Sequence, residues 1–162
     1  MQNIEGKVAY ITGGTKGIGL GIAKALVENG VKVAISGRNI DDVEKARHYL
    51  GKENVLAIQS DVRFFEDEQN AVEQITSTFG RLDIVIANAG LGKFAPIDEM
   101  SLEDWNAMID TNLTGVFHTM KATVEALKVS KGYYISIASL AGTNFFANGA
   151  GYNASKFGVV GF

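Results

Sequence analysis

The chain has 162 residues, of which 46% are apolar and 20% are charged, and its formal net charge is −3. This balance is ordinary for a globular domain and argues against nucleic acid as a partner. The absence of cysteine excludes disulfides, and two distant histidines, His48 and His118, do not indicate a zinc site. With no recognisable signal peptide or membrane span, we expect one cytoplasmic domain over residues 1–162.

Apolar segments alternate with segments of helical spacing along the chain. The predicted strands are, in order, KVAYIT, VKVAIS, NVLAIQSD, LDIVIANAG and GYYISIAS. The helices predicted between them are GIGLGIAKALVENG, DDVEKARHYLG, DEQNAVEQITSTFG and SLEDWNAMIDTNLTGVFHTMKATVEALK. Ile18, Ile22 and Leu26 give the first helix its apolar spacing, and Ser101 is the predicted N-cap of the fourth. The final GYNASKFGVVGF is predicted only to begin another helix.

This alternation predicts an α/β fold with a parallel sheet, because parallel strands need crossover connections and continuous apolar strands suit a sheet covered on both faces. We expect a Rossmann-type, doubly wound, three-layer α/β/α architecture with right-handed connections. Ligands of such sheets bind beyond the carboxyl ends of the strands. The loops that follow the five strands are therefore the candidate functional segments.

A glycine-rich loop, TGGTKGIG (residues 12–19), follows the first strand. Gly13, Gly17 and Gly19 expose bare backbone to which a diphosphate can approach, and the next helix offers free N–H groups and a positive dipole end. The alternative is a tight turn that binds nothing. The position of the loop between the first strand and the first helix favours a nucleotide site.

The motifs that follow resemble those of the short-chain dehydrogenase/reductase family over Lys7–Phe162. After TGxxxGIG come SDV, ANAG, an asparagine within DTNLTGVF, a serine, Ser139, that ends the fifth predicted strand, and YxxxK in GYNASKF. One departure is Ala87, where the family usually has asparagine. Taken singly, each residue has a structural alternative such as a strand–loop cap, a helix hydrogen bond, a turn residue or a surface charge. Their common order and spacing favour the family interpretation.

The resemblance implies a site residue by residue. It implies adenine binding for Asp61 and Val62 and a catalytic tetrad of Asn112, Ser139, Tyr152 and Lys156. The full set of implied cofactor-binding residues is Gly13, Thr15, Lys16, Gly17, Ile18, Gly19, Arg38, Asp61, Val62, Asn88, Ala89, Gly90, Tyr152 and Lys156.

Tyr152 and Lys156 are four residues apart, so a helix places them on one face. The lysine charge then favours the phenolate form, and Tyr152 can donate a proton to a carbonyl oxygen or remove one in reverse. Ser139 is expected to hydrogen-bond the same oxygen. The resemblance further implies that Lys156 binds the nicotinamide ribose and that Asn112 holds a relay water.

The loop after the second strand, AISGRN, predicts the choice of cofactor. Gly37 stands where an acidic residue would bind a ribose hydroxyl, and Arg38, which suits a 2′-phosphate, follows it. Lys16 can add a second positive charge. Asp41 and Asp42 are interpreted as first-turn helix residues. These residues predict NADP(H), unless Arg38 is only a surface charge.

The substrate is left open by the sequence. Phe145 and Phe146 hint at an apolar substrate, and a 3-oxoacyl thioester, a steroid-like ketone and a sugar all remain possible. Family members continue well beyond YxxxK, so we expect these residues to belong to a longer reductase that forms a homo-oligomer, dimer or tetramer. Within residues 1–162 alone, strand five would lack its neighbour and leave an open apolar edge. The alternative function is a non-catalytic nucleotide-binding or interaction module with negligible activity of its own.

Overall fold

The computed structural model describes residues 4–162 and contains one five-stranded parallel sheet. The strands lie in the order β3-β2-β1-β4-β5, which confirms the predicted doubly wound arrangement. Their bounds are β1 (Val8–Thr12), β2 (Lys32–Gly37), β3 (Val55–Gln59), β4 (Ile84–Ala87) and β5 (Tyr133–Ser136).

Six α-helices lie within the described residues. They are α1 (Gly17–Glu28), α2 (Ile40–Leu50), α3 (Phe65–Phe79), α4 (Leu102–Ile109), α5 (Gly115–Ser130) and α6 (Ala150–Gly161). None of these helices is long and apolar enough to cross a membrane.

The central strands β2, β1 and β4 are largely buried because helices cover both faces of the sheet. Every residue of β1 is buried, and its side chains alternate between two apolar clusters. Ala9 and Ile11 pack with residues of α1 and α2, whereas Val8 and Tyr10 pack with residues of α3 and α5. Since β1 pairs with β2 on one side and β4 on the other, the chain reverses its winding direction there and leaves a crevice at the carboxyl ends.

The long helix predicted from Ser101 is interrupted. Ser101 is its N-cap as predicted, because its Oγ accepts a hydrogen bond of 3.0 Å from the Asp104 backbone N–H. However, Asp110–Thr114 forms one turn of π-helix between α4 and α5. The side chain of Asn112 in this turn bonds to the loop after β4, and Gly115 lies close against Val62. The wider turn accommodates these two tertiary contacts within a continuous helical path.

Several predicted boundaries differ from the structure. Ile18, expected on the apolar face of α1, is 65% exposed, whereas Ile22 and Leu26 pack on the core as predicted, together with Leu20. The final segment does not merely begin a helix; it forms α6, with 12 residues. Ser139 lies beyond β5, because the strand ends at Ser136 and a short 3₁₀ turn starts after Ser139.

β5 is an edge strand, as predicted. It pairs only with β4 among the described residues. Tyr133 and Ile135 are 62% and 47% exposed on it, so the edge carries apolar side chains.

A buried carboxyl group lies between the sheet and α3, and no sequence motif indicated it. Glu68 is fully buried and its Oε1 accepts a hydrogen bond of 2.7 Å from the Ser60 hydroxyl, while its Oε2 has no partner among the described residues. The Tyr10 phenol oxygen lies 2.9 Å from the same Oε1. Burial raises the pKa of Glu68, and the nearby charge of Asp67 acts in the same direction.

We predict that Glu68→Gln makes the free energy of unfolding less dependent on pH. Because the folded-state pKa is raised, the stability that Glu68 confers is complete below its unfolded pKa of about 4.3 and is lost as the pH rises through the folded value. A tenfold difference in proton affinity between the folded and unfolded protein corresponds to about 1.4 kcal/mol. Denaturant unfolding at pH 5 and pH 8 measures the change. Glu73→Gln, on the exposed side of α3, is the control, and equal pH dependence in the Glu68 variant and the parent would contradict the prediction.

Candidate nucleotide-binding and active site

A cavity of about 440 Å³ lies at the carboxyl ends of β1, β2, β3 and β4. Its size falls in the range of small-molecule and cofactor sites. The cavity brings together most of the predicted cofactor-binding residues, namely Gly13, Thr15, Lys16, Ile18, Arg38, Asp61, Val62, Asn88, Ala89 and Gly90. The predicted residues Gly17, Gly19, Tyr152 and Lys156 are outside this lining.

The glycine loop is fastened to the end of β4 by hydrogen bonds. The Thr12 Oγ1 accepts from the backbone N–H groups of Asn88 and Ala89 at 3.0 and 3.1 Å. The Asn88 side-chain amide donates in return to the carbonyl oxygens of Thr12 and Gly13, at 3.0 and 3.1 Å. A Cβ on Gly19 would lie 2.5 Å from the Asn88 Nδ2 and from the Gly13 carbonyl oxygen. This packing requires glycine at position 19.

The loop leads directly into the N-terminus of α1. Gly13 has φ +65°, a conformation that glycine adopts without strain. Lys16 precedes the helix and makes no side-chain cap, and the first turn carries no acidic residue. The free N–H groups and the positive end of the helix dipole therefore face the cavity region without competition from a carboxylate of that turn.

The cationic rim is formed by Arg38 and Lys16. Within residues 4–162 neither side chain forms an ion pair with a carboxylate. Asp42, interpreted above only as a first-turn residue of α2, lines the same cavity as Arg38. Its carboxylate reduces the positive potential there, so the field offered to a phosphate depends on both cations.

Asp61 is held in place by Arg63. The Arg63 guanidinium donates to both carboxylate oxygens of Asp61, with Nη2 2.6 Å from Oδ2 and Nε 3.0 Å from Oδ1. Burial raises the pKa of the Asp61 carboxyl, but the hydrogen bonds from Arg63 outweigh that effect and lower it overall. Asp61 therefore presents an oriented, ionised acceptor at the cavity wall.

Asn112 joins three segments beneath the cavity. It is fully buried in the π turn, and its Oδ1 accepts from the Leu91 N–H at 2.8 Å. Its Nδ2 donates to the Leu91 carbonyl at 2.9 Å and to the Ser155 hydroxyl at 3.0 Å. Both amide hydrogens are thus used, and one Oδ1 lone pair is available for a water molecule.

Tyr152 and Lys156 lie on α6, one turn apart. The Lys156 Nζ donates a hydrogen bond of 2.8 Å to the Ile137 carbonyl and lies 5.9 Å from the centre of the Tyr152 ring. Lys156 is buried, and desolvation lowers the pKa of its ammonium group. Ser139, after β5, accepts from the Ala141 N–H at 3.2 Å, which leaves its hydroxyl hydrogen free to donate.

Two phenylalanines surround Tyr152. The ring centres of Phe94 and Phe146 lie 5.6 and 6.4 Å from that of Tyr152 and 5.7 Å from each other. Phe94 is 58% exposed and Phe146 is 45% exposed, so both rings offer apolar surface beside the phenol. The loops that carry them are joined by a hydrogen bond of 3.0 Å from the Ala95 N–H to the Asn148 carbonyl.

Comparison with known proteins agrees with this geometry. The short chain dehydrogenase family matches residues 7–162. The chain belongs to this family. It is 35% identical over 160 residues to an uncharacterized oxidoreductase of Staphylococcus aureus, covering 98% of this chain and 69% of that protein. It is 36% identical over 162 residues to the 3-oxoacyl-[acyl-carrier-protein] reductase of Vibrio cholerae, covering 99% of this chain and 66% of that one.

A solved structure of an alcohol dehydrogenase has the same fold as this chain. The alcohol dehydrogenase from the archaeon Thermococcus sibiricus, complexed with 5-hydroxy-NADP, superimposes with a TM-score of 0.89 and 37% sequence identity. The match covers 94% of this chain and 66% of the archaeal one. The chain therefore spans about two thirds of the length of the relatives that it matches.

Sequence reasoning missed several residues that position the site. Thr12 was included in the glycine-loop motif, but its hydrogen bonds to the segment after β4 were not predicted, and Ser155 lies unremarked inside YxxxK. Phe94 follows ANAG in a loop without regular structure. The position of Thr12 and Ser155 within motifs was the available signal, but the partners of such hydroxyls are set by tertiary contacts.

We predict that Gly19→Ala weakens nucleotide binding by at least about tenfold, because the new Cβ collides with the Asn88 side chain and the Gly13 carbonyl. Gly21→Ala is the matched control: it lies on the same helix, is exposed, and its Cβ would meet nothing within 4 Å. Titration of NADPH against both variants measures the effect. Similar affinities for the two variants would show that the close approach at position 19 does not shape the site.

Proposed function

We propose that the protein is an NADP(H)-dependent oxidoreductase that transfers hydride between the nicotinamide and a carbonyl or secondary alcohol. The observation that carries the proposal is the placement of Tyr152 and Lys156 one turn apart on α6, where the Lys156 Nζ bonds to the Ile137 carbonyl just beyond β5. β5 pairs with β4, whose carboxyl end forms one wall of the nucleotide cavity. Membership of the short-chain dehydrogenase family and the oxidoreductase names of its relatives support it.

The residues of the cavity fit a phosphorylated dinucleotide. Bare backbone at Gly13 and Gly19 and the N-terminus of α1 suit the diphosphate, and Asp61 and Val62 suit the adenine ring. Arg38, with Lys16, would hold a 2′-phosphate, since a guanidinium matches phosphate geometry. The archaeal alcohol dehydrogenase that this chain resembles was solved with an NADP derivative, which favours NADP(H) over NAD(H).

The bound cofactor supplies or accepts the hydride. In the reduction direction, Tyr152 donates its phenolic proton to the carbonyl oxygen, and Ser139 donates a hydrogen bond to the same oxygen. The Lys156 ammonium stabilises the phenolate left on Tyr152 and would bind the nicotinamide ribose. Asn112 holds the loop at Leu91 and offers its free Oδ1 lone pair to a water that returns a proton toward the site.

The aromatic surroundings of Tyr152 favour a substrate with an apolar group next to its carbonyl. Phe94 and Phe146 flank the phenol and present exposed ring surface. A 3-oxoacyl thioester, as in the Vibrio cholerae relative, or an apolar ketone would place hydrocarbon against these rings, whereas a sugar would leave its hydroxyls without partners there. Assembly as a homo-oligomer remains a prediction for the complete protein.

We predict that Arg38→Ala weakens NADPH binding about ten- to hundredfold and leaves NADH binding nearly unchanged. A hydrogen bond to a charged group contributes about 1.5–3 kcal/mol, and the 2′-phosphate is the only difference between the two nucleotides. Fluorescence titration with both nucleotides measures the preference. Lys128→Ala, a cation on α5 paired with Glu125, is the control. Equal affinities for NADPH and NADH in the unmodified protein would refute the cofactor assignment.

We predict that Tyr152→Phe reduces turnover about 10²–10⁴-fold and changes NADPH affinity by less than about twofold. The substitution removes only the proton donor, which acts in the transition state. Tyr133→Phe, exposed on β5, is the control. The measurement is steady-state reduction of a panel of ketones and 3-oxoacyl thioesters alongside nucleotide titration. Turnover of the variant within a few-fold of the parent would exclude Tyr152 as the acid, and nucleotide binding without any turnover in the parent would favour a non-catalytic binding module.

A further inference from the structure

We propose that Glu68 is a positioning residue of the nucleotide cavity. It holds the cavity walls contributed by β2 and β3 in place through a series of buried hydrogen bonds. The inference rests on the proposed function, because it concerns the adenine side of the same cavity. Glu68 lies outside that cavity and is linked to it through Ser60 and, by way of Tyr10, through Ser36.

The first part of this series of hydrogen bonds joins α3 to the loop after β3. The Ser60 hydroxyl donates to the Glu68 Oε1 at 2.7 Å, and the next backbone N–H, that of Asp61, donates to the Asp67 Oδ2 at 2.9 Å. Ser60 also donates its own backbone N–H to the Gly37 carbonyl at 3.1 Å. Two adjacent carboxyl groups in the first turn of α3 therefore hold the two residues at which β3 enters the cavity wall.

The second part of the hydrogen-bond series runs from α3 through Tyr10 on β1 to Ser36 on β2. The Tyr10 phenol oxygen lies 2.9 Å from the Glu68 Oε1 and 3.0 Å from the Ser36 Oγ. A phenol has one hydrogen, so it can donate to only one of them. When it donates to the carboxyl oxygen, its own oxygen accepts the Ser36 hydroxyl hydrogen. The result is a continuous chain in which Ser36 donates to Tyr10 and both Tyr10 and Ser60 donate to Glu68.

The position of Glu68 on α3 shows that packing alone does not account for it. Ala71 and Ile75 lie three and seven residues further along the helix and are fully buried in the same apolar layer. An apolar side chain at position 68 would continue that layer, whereas a carboxyl with one unpartnered oxygen costs stability. The hydrogen bonds that Oε1 accepts from Ser60 and Tyr10 both lead to serines of the cavity wall, while Thr119 of α5 also lies close to the carboxyl.

Burial determines the electrostatics of this group of side chains. Burial raises the pKa of Glu68 and raises that of Tyr10 well above its ordinary value, so the phenol keeps the hydrogen that it donates. The titratable groups that face Glu68 are Tyr10 from β1, Asp67 from its own helix and Tyr134 from β5. The Ser60 hydroxyl and the Tyr10 phenol converge on one oxygen, Oε1, and a carboxyl oxygen with two lone pairs can accept both hydrogen bonds.

The test compares Glu68→Met, Tyr10→Phe and Glu68→Gln in the full-length protein, with Glu73→Met on the exposed side of α3 as control. Neither Glu68 nor Tyr10 lines the cavity, so a change in affinity reports on wall position. We expect Glu68→Met and Tyr10→Phe to raise the dissociation constants of both NADPH and NADH about three- to tenfold, the effect of one or two lost hydrogen bonds. Glu68→Gln, which keeps an acceptor oxygen, should restore affinity to within about twofold of the parent.

A purely structural role predicts a different pattern. It would change the melting temperature of the variants but leave both dissociation constants unchanged at temperatures where they are folded. The inference is overturned if the folded Glu68→Met and Tyr10→Phe proteins both bind NADPH within about twofold of the parent. If the parent binds neither nucleotide, the proposed function fails and the inference with it. If the parent binds NADPH and the KM for NADPH rises in these variants while kcat at saturation is kept, both are supported.

Discussion

The reciprocal hydrogen bonds between Thr12 and the Asn88–Ala89 segment are the constraint on which the site depends. They join the carboxyl ends of β1 and β4, the two neighbouring strands at which the sheet reverses its winding direction. Because the helices on the two sides run to opposite faces, a crevice is left open between them at this point. The hydrogen bonds hold its two walls together, and glycine at positions 13 and 19 allows the loop backbone to lie against Asn88 and Ala89.

A second set of contacts links this geometry to α6. Asn112 connects the loop after β4 with α6 through Leu91 and Ser155, while Lys156 binds the backbone just beyond β5. The helix that carries Tyr152 is thus tied both to the loop after β4, which lines the cavity at Leu91, and to the end of the neighbouring strand β5. The proposed catalytic residues and the proposed cofactor site would then be held in a fixed relative position, as hydride transfer over a short distance requires.

The sequence predicted the doubly wound parallel sheet, the glycine loop and the helix that begins after Ser101, because these features depend on local spacing and local capping. It did not predict what depends on the direction of a side chain in the folded protein. Glu68 is one of three acidic residues in the first turn of α3, where sequence alone gives no reason to single it out, yet it points into the core. Asp42 looked equally local, and the position of α2 beside Arg38 brings it to the cavity. The π turn at Asn112 arises from a tertiary hydrogen bond that no helical periodicity encodes.

The π turn also sets the rotation of α5 about the helix axis relative to α4. A residue added to an α-helix rotates everything that follows it by about 100° about the axis. The segment before the turn packs against α6, whereas the segment after it packs against α3 and the sheet. The number of residues in this turn, more than the identity of any one of them, therefore decides that Phe117 and His118 face the α3 side while Met108 faces α6. An insertion or deletion at this point would reorient a whole surface of the helix without altering a single side chain on it.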